Sequence, residues 1–247
     1  PIAIGEATKS IPYLAEAKKN YLFEVFWGEE TNTLDTEGVT TNVSKIIPSL
    51  KEINKVLHLF IGQIDQVPPK FSAKKINGKR CYDLARNNEE FELKPQKVTI
   101  FNLRVVSHHE NKTSFLVSCG SGTYVRSLAR DLAYALNTFG YASKILRSRY
   151  SHFSKKNTLT MDFLVKNVEK EDFYKYLLDI RKVLIHIPSI KLEDERIKLI
   201  KNGMKVSMLE EFGEVNIKSL IAQNQSQVLA FGELKSGFFY PKRILNI

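Results

Sequence analysis

Cysteine is nearly absent: Cys81 and Cys119 are the only two in 247 residues. They lie too far apart for a zinc site and are too few for a disulfide framework, so the expectation is a reduced chain in the cytoplasm. No apolar run approaches the ~20 residues a membrane-crossing helix needs, and no basic-plus-apolar leader stands at the start. The five histidines, His58, His108, His109, His152 and His186, show no ligand spacing apart from the adjacent pair His108-His109. No metal site is expected from them. Neither G-x-x-x-x-G-K-[ST] nor G-x-G-x-x-G occurs, and no Ser-His-Asp or Cys-His order is persuasive. Acidic residues are in deficit, 27 against 37 Lys plus Arg, for a net charge of +10. Such an excess favours a polyanionic partner. A membrane surface ranks behind nucleic acid, because no basic helix carries an aromatic apolar face.

What is present is enough for a packed core: 43% of residues are apolar. The pattern predicts a helix over residues 8–18 and a strand from Tyr21 to Trp27. In that strand Leu22, Glu24 and Phe26 share one face and Phe23, Val25 and Trp27 the other. Helical spacing runs from Ser44, read as the N-cap, to Phe60. Asn77-Gly78 marks a hairpin turn, followed by a short helix at 82–87. Paired strands are expected at 97–108 and 113–119, a helix at 123–136, a strand at 144–153 and mostly helix at 160–184. A second unit with one helix (193–201) and short glycine-punctuated strands is expected from residue 183, the spacing of a small barrel or sandwich.

Three segments stand out chemically. Residues 68–86 place Lys70, Lys74, Lys75, Lys79, Arg80 and Arg86 about a hairpin with Phe71, Ser72 and Tyr82. Such a hairpin suits phosphate contacts, and its plainer reading is a solvated loop. Residues 119–132 run from a strand through Gly120-Ser121-Gly122-Thr123-Tyr124 into a helix carrying Arg126 in its first turn. The helix dipole disfavours a cation there, and a broken local rule points to function; a solvent-facing Arg126 is the alternative. Tyr21 and Asp35 read most simply as a packing residue and an Asx-turn residue.

Together these segments resemble the TruB family of tRNA pseudouridine synthases. Residues 1–9 look like its L-P-[IV]-x-[IL]-G-x-A-T-K stretch, Lys19-Asn20-Tyr21 like its K-x-Y, and Gly28 to Gly38 like its G-x-x-T-D-T-x-D-x-x-G. Pro68 to Arg86 follows P-P-x-[YF]-S-A-x-K-x-x-G-x-[RK]-x-Y-x-x-A-R almost without departure. Gly122 to Arg126 matches G-T-Y-[IV]-R, and Leu146-Arg147 the start of L-R-R. Asn32 departs from the Asp of T-D-T, and Ser148 from the second Arg of L-R-R. The C-terminal unit is similar, more weakly, to the family's PUA-like RNA-binding domain.

The resemblance implies an α+β fold, a mixed, mainly antiparallel sheet flanked by helices, with a catalytic domain over 1–182 and a PUA-like domain over 183–247. It implies isomerisation of a T-arm uridine of tRNA, position 55, to pseudouridine. No cofactor, metal, membrane or obligatory protein partner is implied, and the chain is expected to be a monomer. Tyr21 would stack on the flipped uracil, Arg126 would pair with the catalytic carboxylate, and Leu146 would pack against the base. Asp35, Lys70, Ser72, Lys74, Lys75, Lys79, Arg80, Tyr82, Arg86, Tyr124 and Arg147 would contact RNA. The nucleophile implied is the Asp of a G-T-L-D-P-x-A-x-G loop. That loop is expected immediately before Pro1, and no aspartate of this chain matches it. The competing readings are a non-catalytic RNA-binding protein and a synthase guided by a partner RNA.

Overall fold

A computed structural model describes residues 1–15, 17–87 and 89–246. Contacts gather the chain into two units, Ala17–Lys156 and the pair of segments Pro1–Glu16 and Asn157–Ile247. This division falls at 156/157, whereas the sequence pattern put it at 182/183. The first residues join the C-terminal unit: Tyr13 packs on Phe231 with ring centroids 4.7 Å apart, Lys9 Nζ donates to the Ile244 carbonyl at 2.7 Å, and the Asn246 N–H donates to Glu6 at 2.7 Å.

The larger unit comprises strands β1 (Lys19–Trp27), β2 (Glu29–Thr31), β3 (Thr40–Val43), β4 (Gly62–Gln66), β5 (Lys75–Ile76), β6 (Lys79–Arg80), β7 (Gln96–His109), β8 (Lys112–Cys119), β9 (Gly140–Tyr150) and β10 (Phe153–Ser154). Its helices are α1 (Leu50–Val56), α2 (Cys81–Arg86) and α3 (Val125–Ala135). Six strands form one antiparallel sheet in the order β10-β9-β1-β8-β7-β4. The alternation read in β1 holds. Phe23, Val25 and Trp27 are buried with Phe115 and Val117 of β8, under Leu128, Ala129 and Leu132 of α3. Each such large side chain contributes ~1.5–3 kcal/mol by leaving water. The Trp27 indole N–H, which burial would otherwise orphan, donates to Thr113 Oγ1 at 2.8 Å.

The β1–β9 pairing is not a plain ladder. Ser143 and Ser148 are each skipped, between the partners Val25↔Ala142 and Glu24↔Lys144, and between Tyr21↔Arg147 and Asn20↔Arg149. Each extra residue breaks the period of two. Both are serines that bond back to β1, Ser143 Oγ to the Glu24 carbonyl at 3.3 Å and Ser148 Oγ to that of Asn20 at 3.2 Å.

The helix expected from Ser44 starts five residues later. Pro48 disfavours helical backbone at Ile47. Ser49 is the cap, forming a reciprocal capping box with Glu52, and Ile46 and Ile47 remain exposed. The stretch expected as helix after residue 160 is three short pieces, Met161–Asn167, a 3-10 segment Glu171–Tyr176 and Ile180–Val183. The expected first helix is a 3-10 segment Gly5–Ser10 and then Ile11–Ala15; its remainder touches residue 16, outside the described residues.

The second unit carries β11 (Ser189–Lys191), α4 (Asp194–Lys201), β12 (Val206–Ser207), β13 (Ile217–Gln223), β14 (Val228–Lys235) and β15 (Phe238–Ile244). The strands form one sheet, β11-β13-β14-β15-β12, parallel only between β11 and β13. Gly232 is required there: a Cβ would lie 2.1 Å from the Tyr240 carbonyl oxygen. Among the described residues no helix is long and apolar enough to cross a membrane.

Candidate functional site

Strand β8 ends at Cys119, a turn follows with Gly122 at φ +80°, and α3 begins at Val125. Arg126 is therefore fixed in the first helical turn and turns inward. Its Nη1 donates to the Thr33 carbonyl at 3.0 Å and to Asp35 Oδ2 at 2.8 Å, and its Nη2 to the Phe71 carbonyl at 2.9 Å. Of the five N–H donors of a guanidinium, the Nε–H and one Nη2–H have no acceptor among the described residues. The solvent-facing alternative for Arg126 is thereby excluded.

Asp35 is both the turn residue read from sequence and an ion-pair partner. Its Oδ1 accepts from the Glu37 N–H at 3.0 Å and from Thr33 Oγ1 at 2.6 Å. The loop closes tightly over Gly38, where a Cβ would stand 2.3 Å from Thr33 Oγ1. Asn32, the departure from the family pattern, accepts from the Val39 N–H at 3.1 Å.

Asp35, Phe71, Ser72, Tyr82, Arg86, Tyr124, Arg126, Ala142 and Ile145 line an open cleft of about 650 Å³, together with Thr33, Thr36, Glu37, Ala73, Ser143 and Lys144. The structure thus brings together residues that the sequence singled out in three separate segments, 28–38, 68–86 and 119–132. Tyr21 lies on the core face of β1, two residues from Phe23, whose β9 partner is Ile145. Cross-strand partners share a face. Arg147 therefore lies on the Tyr21 side, while Leu146, opposite Leu22, lies on the other; Ile145 and Leu146 are both exposed. Ile145 lines the cleft, whereas Tyr21, Leu146 and Arg147 are not among its lining residues. The extra residue at Ser143 causes the exchange, and nothing in a residue-by-residue alternation announces it.

At the Tyr21 end of the sheet, Lys19 and Arg147 both lie over the Tyr150 ring, 5.3 and 5.4 Å from its centroid. Burial pushes the Lys19 amine below its ordinary value; the Cys119 thiol opposes this and Arg147 adds to it.

The basic hairpin forms as read. Strands β5 and β6 pair through Asn77 and Gly78, both at positive φ (49° and 82°). Lys70, Lys75, Lys79, Arg80 and Arg86 are exposed, and Lys74 is half-buried. Arg80 donates to Tyr82 Oη at 2.8 Å, and Arg80 and Arg86 both lie over its ring. Lys79 pairs with Glu89 at 3.6 Å. Ser72 is buried, and its Oγ has no partner among the described residues.

The base of the hairpin is stitched to α3. Val67's carbonyl accepts from Ser127 Oγ at 2.8 Å and Arg130 Nη2 at 3.0 Å. Gln66 Oε1 accepts from the Tyr124 N–H at 2.8 Å, and Gln96 Nε2 donates to the Gly122 carbonyl at 2.9 Å. Sequence reading passes over both glutamines, since a lone glutamine at a strand end carries no pattern.

This architecture is one seen in solved structures. A chain of a Cbf5-Nop10-Gar1 complex superposes with a TM-score of 0.65 at 20% identity, over 96% of this chain and 66% of that one. A chain of an H/ACA RNP bound to a substrate RNA containing 2'-deoxyuridine gives 0.68 at 16% identity, over 98% and 70%. Sequence comparison narrows the class. The model of the TruB family pseudouridylate synthase N-terminal domain matches residues 1–125. Proteins named tRNA pseudouridine synthase B match along the whole chain. That of Caulobacter vibrioides is 36% identical over 100% of this chain and 82% of its own length, and that of Ehrlichia ruminantium 39% identical over 100% and 85%. That of Rhizobium meliloti is 36% identical over 99% and 81%. The chain belongs to the TruB family of pseudouridine synthases, enzymes of the isomerase class.

Proposed function

We propose that this protein converts a uridine in the T-arm of tRNA, at position 55, to pseudouridine. The observation that carries the mechanism is Arg126. Its Nη1 is held by Asp35 and the Thr33 carbonyl, while the Nε–H and one Nη2–H are left to receive a second carboxylate in the cleft. A guanidinium binds a carboxylate through two parallel N–H donors and keeps it ionised and aimed. The nucleophile we assign is the Asp of the family's G-T-L-D-P-x-A-x-G loop, which matches no aspartate of this chain.

The reaction breaks the bond between uracil N1 and the ribose C1′, turns the base, and joins C5 to C1′; the C5 proton leaves and N1 takes one up. A stacked base must first be flipped out, at a cost of a few kcal/mol. Tyr21 stacks on the flipped ring, as RNA-binding proteins do with splayed bases, and assists removal of the C5 proton. Ile145 supplies the apolar wall expected of Leu146. The exposed cations of the hairpin, with Tyr82, grip T-arm phosphates, and Ser72, Tyr124 and Arg147 border the RNA path. The C-terminal unit acts as a PUA-like domain on the acceptor stem. The protein works as a monomer in the cytoplasm, where its substrate is. The whole-length match to proteins named tRNA pseudouridine synthase B supports this reading over an RNA-guided synthase.

In the full-length protein, Arg126→Ala is expected to nearly abolish tritium release from C5-labelled uridine in a T-arm stem-loop. Activity within about threefold of wild type would overturn the assignment, since loss of a group acting on transition-state charge costs ~100-fold or more.

A further inference from the structure

The last register position of the β4–β7 pair sets two glutamines side by side, Gln66 opposite Gln96. Gln66 is fully buried, and its Oε1 takes the Tyr124 N–H. Gln96 gives its Nε2–H to the Gly122 carbonyl, and its Oε1 accepts from Lys74 Nζ at 3.4 Å. The pair thus holds Gly122-Thr123-Tyr124 at both ends, one by its donor and one by its acceptor.

That turn needs holding. Gly122 sits at φ +80°, a freedom that glycine brings and that must be restrained elsewhere. Tyr124 is the N-cap of α3 in extended backbone (φ −98°, ψ 112°), and its side chain makes no cap bond. The amides at a helix start have no intrahelical acceptor. Arg126 follows two residues later, and a group acting on a reacting centre must be placed to within about half an ångström.

We propose that Gln66 and Gln96 are positioning residues, a two-point clamp on Gly122–Tyr124 that aims Tyr124 and Arg126 into the cleft. Through Lys74 the clamp also touches the basic hairpin, so RNA seated on the hairpin stiffens the turn that carries the arginine. This rests on the pseudouridine-forming reading above.

One detail separates this role from plain stability. Gln66 Nε2 is buried with no partner among the described residues, a state that costs free energy. Gln66→Met removes that orphan together with the bond to Tyr124, so its two effects on stability oppose while its effect on aim does not.

The test uses Gln66→Met, Gln96→Met, Gln96→Glu and the double methionine variant of the full-length protein, on a T-arm stem-loop. Each single change is expected to lower kcat ~10- to 100-fold, with KM within about twofold. Gln96→Glu keeps an acceptor for Lys74 but cannot donate to Gly122, so it should fall with Gln96→Met. Because either loss frees the same turn, the double variant should be little worse than the poorer single one. Amide hydrogen exchange at Thr123 to Arg126 should quicken in every variant, a readout independent of turnover. Wild-type kcat in Gln96→Glu, losses that multiply in the double variant, or unchanged exchange would each overturn the clamp. Should Gln66→Met not fold, the half-buried Gln96 carries the test. A wild-type enzyme that makes no pseudouridine in the T-arm would instead sink the parent reading, with the exchange data still deciding the clamp.

Discussion

Arg126 sits where the helix dipole opposes it, and two carbonyls and one carboxylate offset that cost. The same helix ends on a further carboxylate contact, a part-buried one. Tyr134 Oη donates to Glu30 Oε2 at 2.6 Å, while Asn42 serves Oε1 at 3.1 Å. Burial, then the bond to Glu30, then that residue's charge raise the Tyr134 phenol from 10.0 to about 12. The raised value means the neutral phenol is the stabilising form. Its contribution is present in full below pH 10 and is lost as pH rises through about 12. An alkaline titration followed by tyrosinate absorbance should show a late phase that Tyr134→Phe removes. Survival of that phase in the variant would assign it to another tyrosine.

At the scale of elements, the hairpin turn can be tested by backbone alone. A Cβ at Gly78 would meet nothing within 4 Å, yet its φ is +82°. Gly78→Val is therefore expected to cost ~1–2 kcal/mol through conformation, not collision. The loss should show as faster amide exchange across Lys74 to Cys81 and weaker binding of a T-arm stem-loop, with the main sheet's melting little changed. This turn is legible in the sequence because Asn-Gly states its geometry locally. The alternation of β1 is legible because burial on one face imposes a period of two. The start of α1 is misread from Ser44, because the helical spacing runs back past Pro48, and the reciprocal bond of Ser49 with Glu52 is what fixes the true start. The glutamine clamp and the Leu146–Ile145 exchange are not legible, since both depend on which residues of different strands stand opposite one another.

For the whole molecule, the excess of ten positive charges acts through its distribution. Exposed Lys70, Lys75, Lys79, Arg80 and Arg86 lie within one short segment. Changing Lys75 and Lys79 to Gln should weaken binding of full-length tRNA and flatten its salt dependence by about one unit of slope for each phosphate no longer neutralised. An unchanged slope would place the RNA elsewhere. Residues 1–16 also group with the C-terminal unit, which the sequence could not show, because the motif resemblance in that stretch says nothing about which sheet it joins.

The two extra serines of β9 act on the strand as paired frameshift mutations act on a gene. A strand is read in steps of two, and Ser143 acts as an insertion that shifts the frame, putting Ile145 and Arg147 on the side of Phe23 and Tyr21 and Leu146 on the other. Ser148, five residues on, acts as the suppressor, returning Tyr150 to the frame it would have had without either. Loss of one serine would reverse every side chain on one flank of the change; loss of both would reverse only the segment between them. The β9 edge of the cleft, Ala142 to Ile145, thus runs across the point where the frame shifts.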